Sequence, residues 1–343
     1  MRLHSFIEKH LLKRTGISYL LYPLSLLYLA GHRIKQAKDR RNQYKAPLKV
    51  ISIGNLTAGG SGKTPLGMEL AVWLRDNGFD IAVSHRGYKG KHEKQPLLVT
   101  GNTIISPKTL GDEACLYATT LKDIPLLIGR DRVQVARILQ EQTPGTQILI
   151  LDDSFQNMKL FHDIDIVVIS AEMGLGNGFC LPAGYLREPL SNLHKNHFVV
   201  LLSKNGSLPD HKLTAQIRAR TSNLYFANLV PGDIKNYAGD SVDPGKLREK
   251  HLILVSGIGN PASFEDTVRS VGLSWRKHLR YPDHFSFDDV ADILAEACDY
   301  ILCTQKDILK LGRHQSLRHK LRYIELALQW QDDSFKRDVL RAL

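Results

Sequence analysis

Cysteine is scarce in this chain of 343 residues. The four present, Cys115, Cys180, Cys298 and Cys303, form no Cys-x-x-Cys pair and no ligand cluster. That argues against a disulfide framework or a structural zinc site and fits a reducing cytosol. Long hydrophobic runs are also lacking. The longest uncharged stretch rich in apolar residues, Thr15 to Gly31, carries Pro23 inside it and falls short of the ~20 apolar residues a spanning helix needs. No small-residue cleavage site follows it, which argues against a signal peptide. Acidic residues are few at the N-terminal end: residues 1–49 hold eleven Lys or Arg against Glu8 and Asp39, a net +9 of the chain's +11. The body is therefore close to neutral, which argues against a nucleic-acid-binding face spread across it. Internal repeats and low-complexity tracts are absent.

What the N-terminal segment does have is an apolar, tyrosine-bearing stretch with basic flanks. Lys9, Lys13 and Arg14 lie before it, and Arg33, Lys35, Lys38, Arg40 and Arg41 after it. This pattern predicts a helix lying in or on the membrane interface, with apolar side chains in lipid and cations at anionic headgroups. A helix buried against the protein's own core is the alternative.

From residue 46 the chain alternates short β-rich apolar runs with helical patterns, which predicts a parallel sheet covered by helices. Expected strands are 50–53, 80–84, 125–128, 147–151, 164–169, 198–202, 252–256 and 300–303. Expected helices are 64–77, 112–119, 130–142, 261–271 and 287–297. A softer stretch, 229–250, holds Pro231-Gly232, Gly239-Asp240 and Asp243-Pro244-Gly245. It predicts a break between a larger N-terminal and a smaller C-terminal α/β unit. The expected division is residues 1–45 as the membrane-associated helical segment, 46–230 as a P-loop kinase-like domain, and 231–343 as the smaller domain.

The strongest local signal follows the first strand. Residues 54–65 read Gly-Asn-Leu-Thr-Ala-Gly-Gly-Ser-Gly-Lys-Thr-Pro. A strand, a glycine-rich turn and Gly-Lys-Thr at a helix start make a phosphate-binding P-loop. Backbone N–H groups wrap the phosphates, the lysine reaches the outer ones, and the threonine hydroxyl binds Mg²⁺. Thr57, Ala58, Gly59, Gly60, Ser61, Gly62, Lys63 and Thr64 are the expected ATP-binding residues, although Thr57 stands where the usual pattern has its first glycine. A second signal is Ile148-Leu-Ile-Leu-Asp152-Asp153, a buried strand ending in two carboxylates. That is where open parallel sheets place their ligands. With Thr64, Asp152 and Asp153 are the expected metal ligands, and the sequence does not rank the two.

Beyond these, several elements in one order resemble the tetraacyldisaccharide 4′-kinase family of lipid A biosynthesis. They are Gly54–Pro65, Ser84-His-Arg-Gly-Tyr88, Gly111-Asp112-Glu113 and Asp152-Asp-Ser-Phe-Gln156. Leu181–Pro189, Pro282-Asp-His284 and Thr304-Gln-Lys-Asp307 follow. Together they span residues 50–307. Ser154, Asn157 and Gln305 depart from the family's usual Gly, His and Glu. The resemblance implies ATP and Mg²⁺ as cofactors and transfer of the γ-phosphoryl to the 4′-hydroxyl of a lipid A disaccharide 1-phosphate. It implies work at the cytoplasmic face of the bacterial inner membrane, with the N-terminal segment as the membrane contact. No nucleic acid and no obligate protein partner are expected.

Residue by residue, the resemblance implies Asp112 as the base that takes the acceptor's proton and His284 as its partner. Lys63 and Arg132 would be the countercharges for the phosphoryl oxygens. Arg86, Tyr88, Glu113, Gln156, Arg187 and Glu188 would serve substrate binding or support. A helix N-cap is the plain alternative for Asp112, and a turn histidine for His284. Alternative activities are a membrane-bound kinase of another amphiphilic sugar or polyprenyl acceptor, and a membrane-associated nucleotide switch or ATPase.

Overall fold

The computed structural model describes residues 10–59, 62–204, 206–207 and 210–343. Among these, twelve strands form one sheet. They are β1 (Lys49–Gly54), β2 (Ile81–His85), β3 (Leu97–Val99), β4 (Leu126–Ile128), β5 (Ile148–Asp152) and β6 (Ile164–Ser170). Then come β7 (Phe198–Ser203), β8 (Leu224–Asn236), β9 (Leu252–Ser256), β10 (Lys277–Arg280), β11 (Tyr300–Thr304) and β12 (Leu321–Trp330). Their order across the sheet is β10-β9-β11-β12-β8-β7-β6-β1-β5-β2-β4-β3. All neighbours are parallel except β12 with β8 and β3 with β4. The α/β class read from the alternation is thus the class observed.

The central strands read as apolar runs because helices cover both faces of a parallel sheet; every residue of β2, β5 and β7 is buried. β1 lies between β5 and β6. The chain leaves β1 toward one side and later returns to its other side. The C-terminal end of β1 is therefore a topological switch point, the place where such sheets bind ligands. The helix Lys63–Asp76 begins there and stops at Gly78, whose φ of 86° gives the left-handed turn a helix C-terminus favours. Gly54 closes β1 where no side chain fits: a Cβ there would lie 2.4 Å from that of Phe155.

Three expectations change. The stretch 229–250 is more regular than its prolines and glycines suggest, because β8 continues through it to Asn236. Residues 230 and 231 are consecutive positions of that strand. Pro231 fits because the register shifts between Ile324 and Leu326 on the facing strand, and a bulge does not need the missing N–H. The helix expected over 287–297 shrinks to Ala291–Leu294. Phe287 instead adopts φ 52° and buries its ring against Tyr281 and Phe285. The strands β3, β8, β10 and β12 have no counterpart among the expected strands.

The N-terminal helix Gly16–Arg41 starts with a capping box between Thr15 and Ser18. Its amphipathicity is inverted. Its buried residues are Ser18, Ser25 and Gln36, while Leu20, Leu24, Leu27 and Ile34 are exposed. The polar side bonds to the segment near residue 180. Ser25 Oγ donates to the Cys180 carbonyl at 2.8 Å and accepts from the Ala183 N–H at 3.0 Å. No helix of the described residues is long and apolar enough to cross a membrane.

Candidate active site

The loop after β1 is braced from the segment Leu181–Pro189. The Ala58 N–H donates to the Tyr185 carbonyl at 2.8 Å, and Thr57 bridges Leu186. Gln156 Nε2 donates to the Asn55 carbonyl at 2.8 Å and pins the loop from the other side. Gly59 and Gly62 take φ of 102° and 83°, values that favour glycine. Gly60 and Ser61, the other expected phosphate-binding positions, lie outside the described residues.

Lys63 and Thr64 open the helix beside the two carboxylates that end β5. Lys63 Nζ lies 3.4 Å from Asp153 Oδ1, and Arg187 Nη1 meets the same oxygen at 3.1 Å. Burial pushes the Asp153 carboxyl up, but these two cations outweigh it and hold it below its ordinary value. Asp152 differs. It is 1% exposed, and neutral donors surround its carboxylate. They are Tyr117 Oη at 2.9 Å, the Asp153 N–H at 2.8 Å and Thr64 Oγ1 at 3.5 Å. Burial pushes its carboxyl above the usual range.

Among the described residues no cation reaches the oxygens of this buried acid, and beside a threonine hydroxyl it fits a Mg²⁺ site. No group of three or more His, Cys, Asp or Glu among the described residues is arranged to hold a metal. Such an ion would take its remaining ligands from phosphates and water, as Mg²⁺ commonly does.

Arg132 lies beneath this pair. It is 3% exposed and donates to Ser84 Oγ at 2.9 Å, the Gly129 carbonyl at 3.1 Å and the Asp152 carbonyl at 2.5 Å. Burial lowers its pKa to about 10. Here it braces the floor of the site and touches the backbone of Asp152, not its carboxylate.

The second half of the site forms where residues distant in sequence meet. Gly111, at φ 87°, caps the helix Asp112–Thr120 and presents Asp112 and Glu113 in its first turn. His284 Nδ1 and Asp112 Oδ2 are 2.8 Å apart across 172 residues of sequence. Lys310 Nζ reaches the same oxygen at 2.6 Å. Burial raises the Asp112 carboxyl, and the hydrogen bonds from His284 and Lys310 more than offset this, leaving it below its ordinary value. The bond to Asp112 raises His284 in turn, against burial. His284 sits at φ 62°, left-handed for a non-glycine residue, with its N–H on the Gly257 carbonyl at 3.3 Å. Strain of this kind persists only where the surroundings fix it.

Glu113 pairs with Lys306 Nζ at 2.8 Å and His85 Nε2 at 3.2 Å. His85 Nδ1 accepts the Gly87 N–H at 3.0 Å, so its proton is on Nε2, facing Glu113. Burial pushes Glu113 up, but its bonds to His85 and Lys306 hold it well below the usual range.

The remaining expected residues divide. Tyr88 is half exposed and lines a cleft with Asp112, His284, Lys310 and Arg313. Arg86 is engaged by Glu93 at 2.8 Å. Arg187 reaches the site through Asp153. Glu188 does not. It is 2% exposed and turns to the N-terminal helix, accepting from Gln36 Nε2 at 3.2 Å and from Asn192 Nδ2 at 2.7 Å. Lys306 and Lys310 were not among the expected site residues. Their spacing of four, matched to the adjacent acids Asp112 and Glu113, is the signal that could have found them.

The chain matches the family described as tetraacyldisaccharide-1-P 4′-kinase over residues 17–343. It is similar to the tetraacyldisaccharide 4′-kinase of Pelobacter propionicus, 32% identical over 94% of this chain and 92% of the relative. It is likewise similar to that of Psychrobacter cryohalolentis, 34% identical over 91% and 85%. Among solved structures it resembles LpxK from Aquifex aeolicus, crystallised in complex with ATP. The TM-score is 0.78 and the identity 27%, covering 95% of this chain and 99% of that one.

Proposed function

Because the chain belongs to the tetraacyldisaccharide 4′-kinase family, we propose that it moves the γ-phosphoryl of ATP to the 4′-hydroxyl of a lipid A disaccharide 1-phosphate. It is a kinase, and kinases of this family use ATP with Mg²⁺. The observation that carries the acceptor side is the Asp112–His284 contact of 2.8 Å, which lines an open cleft. A sugar hydroxyl is a poor nucleophile, and a fixed carboxylate can take its proton as the new O–P bond forms. Lys63 and the loop N–H groups hold the donor phosphates, and a Mg²⁺ held by Thr64 and Asp152, with Asp153 beside it, would supply charge neutralisation for those phosphates. Arg132 fixes the backbone of Asp152, and Arg187 and Lys63 fix Asp153. In this reading residues 46–230 supply the nucleotide side and residues 231–343 bring His284 to the acceptor. The test is label from γ-labelled ATP in detergent micelles. It should appear in the disaccharide 1-phosphate and not in a polyprenyl alcohol; label in the polyprenyl alcohol alone would favour the other kinase reading.

The N-terminal helix supports a membrane-held acceptor. Its outward leucines, followed by Arg33, Lys35, Lys38, Arg40 and Arg41, suit a helix lying in an anionic interface. We place the protein on the cytoplasmic face of the inner membrane, where ATP and this lipid meet. Leu20→Glu combined with Leu27→Glu should weaken partition into anionic vesicles by at least about tenfold, since each exposed leucine adds roughly 1.5–3 kcal/mol when buried in lipid. Nucleotide binding should stay unchanged. Unaltered partition in a sedimentation assay would remove the helix from the membrane contact.

A further inference from the structure

Two donors converge on one oxygen of Asp112, and the other is left open. Lys310 Nζ is 2.6 Å from Asp112 Oδ2, and His284 Nδ1 is 2.8 Å from the same atom. Asp112 Oδ1 has no hydrogen bond among the described residues, and the side chain lines the cleft. Lys310 is 3% exposed and arrives from a short helix that packs 198 residues away in sequence. A lysine is rarely buried unless its charge is paired. Asp307, one turn earlier, is also buried and keeps Oδ2 for the Gly257 N–H and the Thr304 hydroxyl.

We propose that Lys310 is a positioning residue for the transfer: with His284 it occupies Asp112 Oδ2 and leaves Oδ1 as the atom that takes the acceptor's proton. This rests on the phosphoryl-transfer reading above. In the step, an oxygen lone pair of the acceptor bonds to the γ-phosphorus. Its proton passes to Asp112 Oδ1. The bond from the γ-phosphorus to the bridging oxygen breaks, and its electron pair leaves on ADP.

A cation at Oδ2 also fixes the pH range in which Asp112 is ionised. The groups around the carboxylate are His284 and Lys310 in contact, with Lys306, Glu113, Asp307, Asp283 and the Cys115 thiol beyond, and Lys89, Lys108 and Arg313 on the walls of the same cleft. Without Lys310 the neighbouring Asp307 loses a cation that lowers its carboxyl, and both acids favour protonation. The acidic limb of turnover must then move to higher pH. An opposite charge at this distance is worth about one pH unit or more.

The experiment compares full-length wild type with Lys310→Met, Lys310→Gln and Lys310→Arg. It reads kcat against pH at saturating ATP and disaccharide 1-phosphate, together with ATP affinity. The Met and Gln variants should show the acidic limb about one unit higher, with most of the lost kcat recovered at high pH and ATP affinity within about twofold. Lys310→Arg should keep the limb near the wild-type position. A limb that stays in place, or a loss of kcat equal at every pH, would overturn the assignment. If Lys310→Met does not fold, Lys310→Gln, which keeps a polar head in the buried site, carries the same test. Wild type that phosphorylates no acceptor would instead sink the transfer reading itself, so the two failures are distinguishable.

Discussion

Asp112→Ala lowers phosphoryl transfer by roughly 10²- to 10⁴-fold, the usual contribution of a positioned base, while ATP still binds. The change removes a carboxylate that lines the cleft together with His284 and leaves the P-loop and the Asp152–Asp153 pair untouched. Asp112→Asn is the closer control, because it keeps the shape and a partner for Lys310 but cannot accept a proton as a carboxylate does. In the wild type the folded carboxyl is held below its ordinary value by His284 and Lys310. The ionised form therefore persists as pH falls, and the acidic limb of kcat lies below about pH 4, where an unperturbed aspartate titrates. Single-turnover transfer of label and direct nucleotide binding separate the two effects. An Asp112→Ala enzyme with wild-type turnover would contradict the base assignment.

Lys63→Met lowers transfer by about 10²- to 10³-fold, the cost expected when one fixed donor to transition-state charge is lost. Lys63 is mostly enclosed, with its ammonium 3.4 Å from Asp153 Oδ1. This acid holds it in place and is shared with Arg187. Its removal deprives the γ-phosphoryl of a countercharge and leaves Asp153 paired with Arg187 alone. ATP affinity should fall as well, because the lysine contacts phosphate before and during transfer. Full kcat at saturating ATP would show that Lys63 serves binding only.

The donor half of the site was legible in the sequence because it is local. A strand, a glycine turn and Lys63-Thr64 are contiguous, and Asp152-Asp153 end a strand whose burial its apolar run announces. The acceptor half was not legible from spacing. Asp112 and His284 meet only because of the tertiary fold, so their pairing came from family resemblance alone. Lys310 escaped notice because a lysine after Leu309 looks like any solvated helix residue until a buried acid is found opposite it. Glu188 enters the expected set with Arg187 through one family element, yet its carboxylate meets Gln36 of the N-terminal helix and Asn192, contacts that no spacing in the sequence announces. β8 and β12 were hidden by Pro231, by Gly232 and by a mixed polar composition that suits strands only partly buried.

The most direct measurement is product analysis. The full-length protein would be incubated with γ-labelled ATP, Mg²⁺ and tetraacyldisaccharide 1-phosphate in micelles, and the glycolipid examined by phosphorus NMR. The account predicts a labelled bisphosphorylated lipid, one new phosphate on the 4′-oxygen, and ADP in equal amount. Label appearing only as inorganic phosphate, with the glycolipid unchanged, would contradict it.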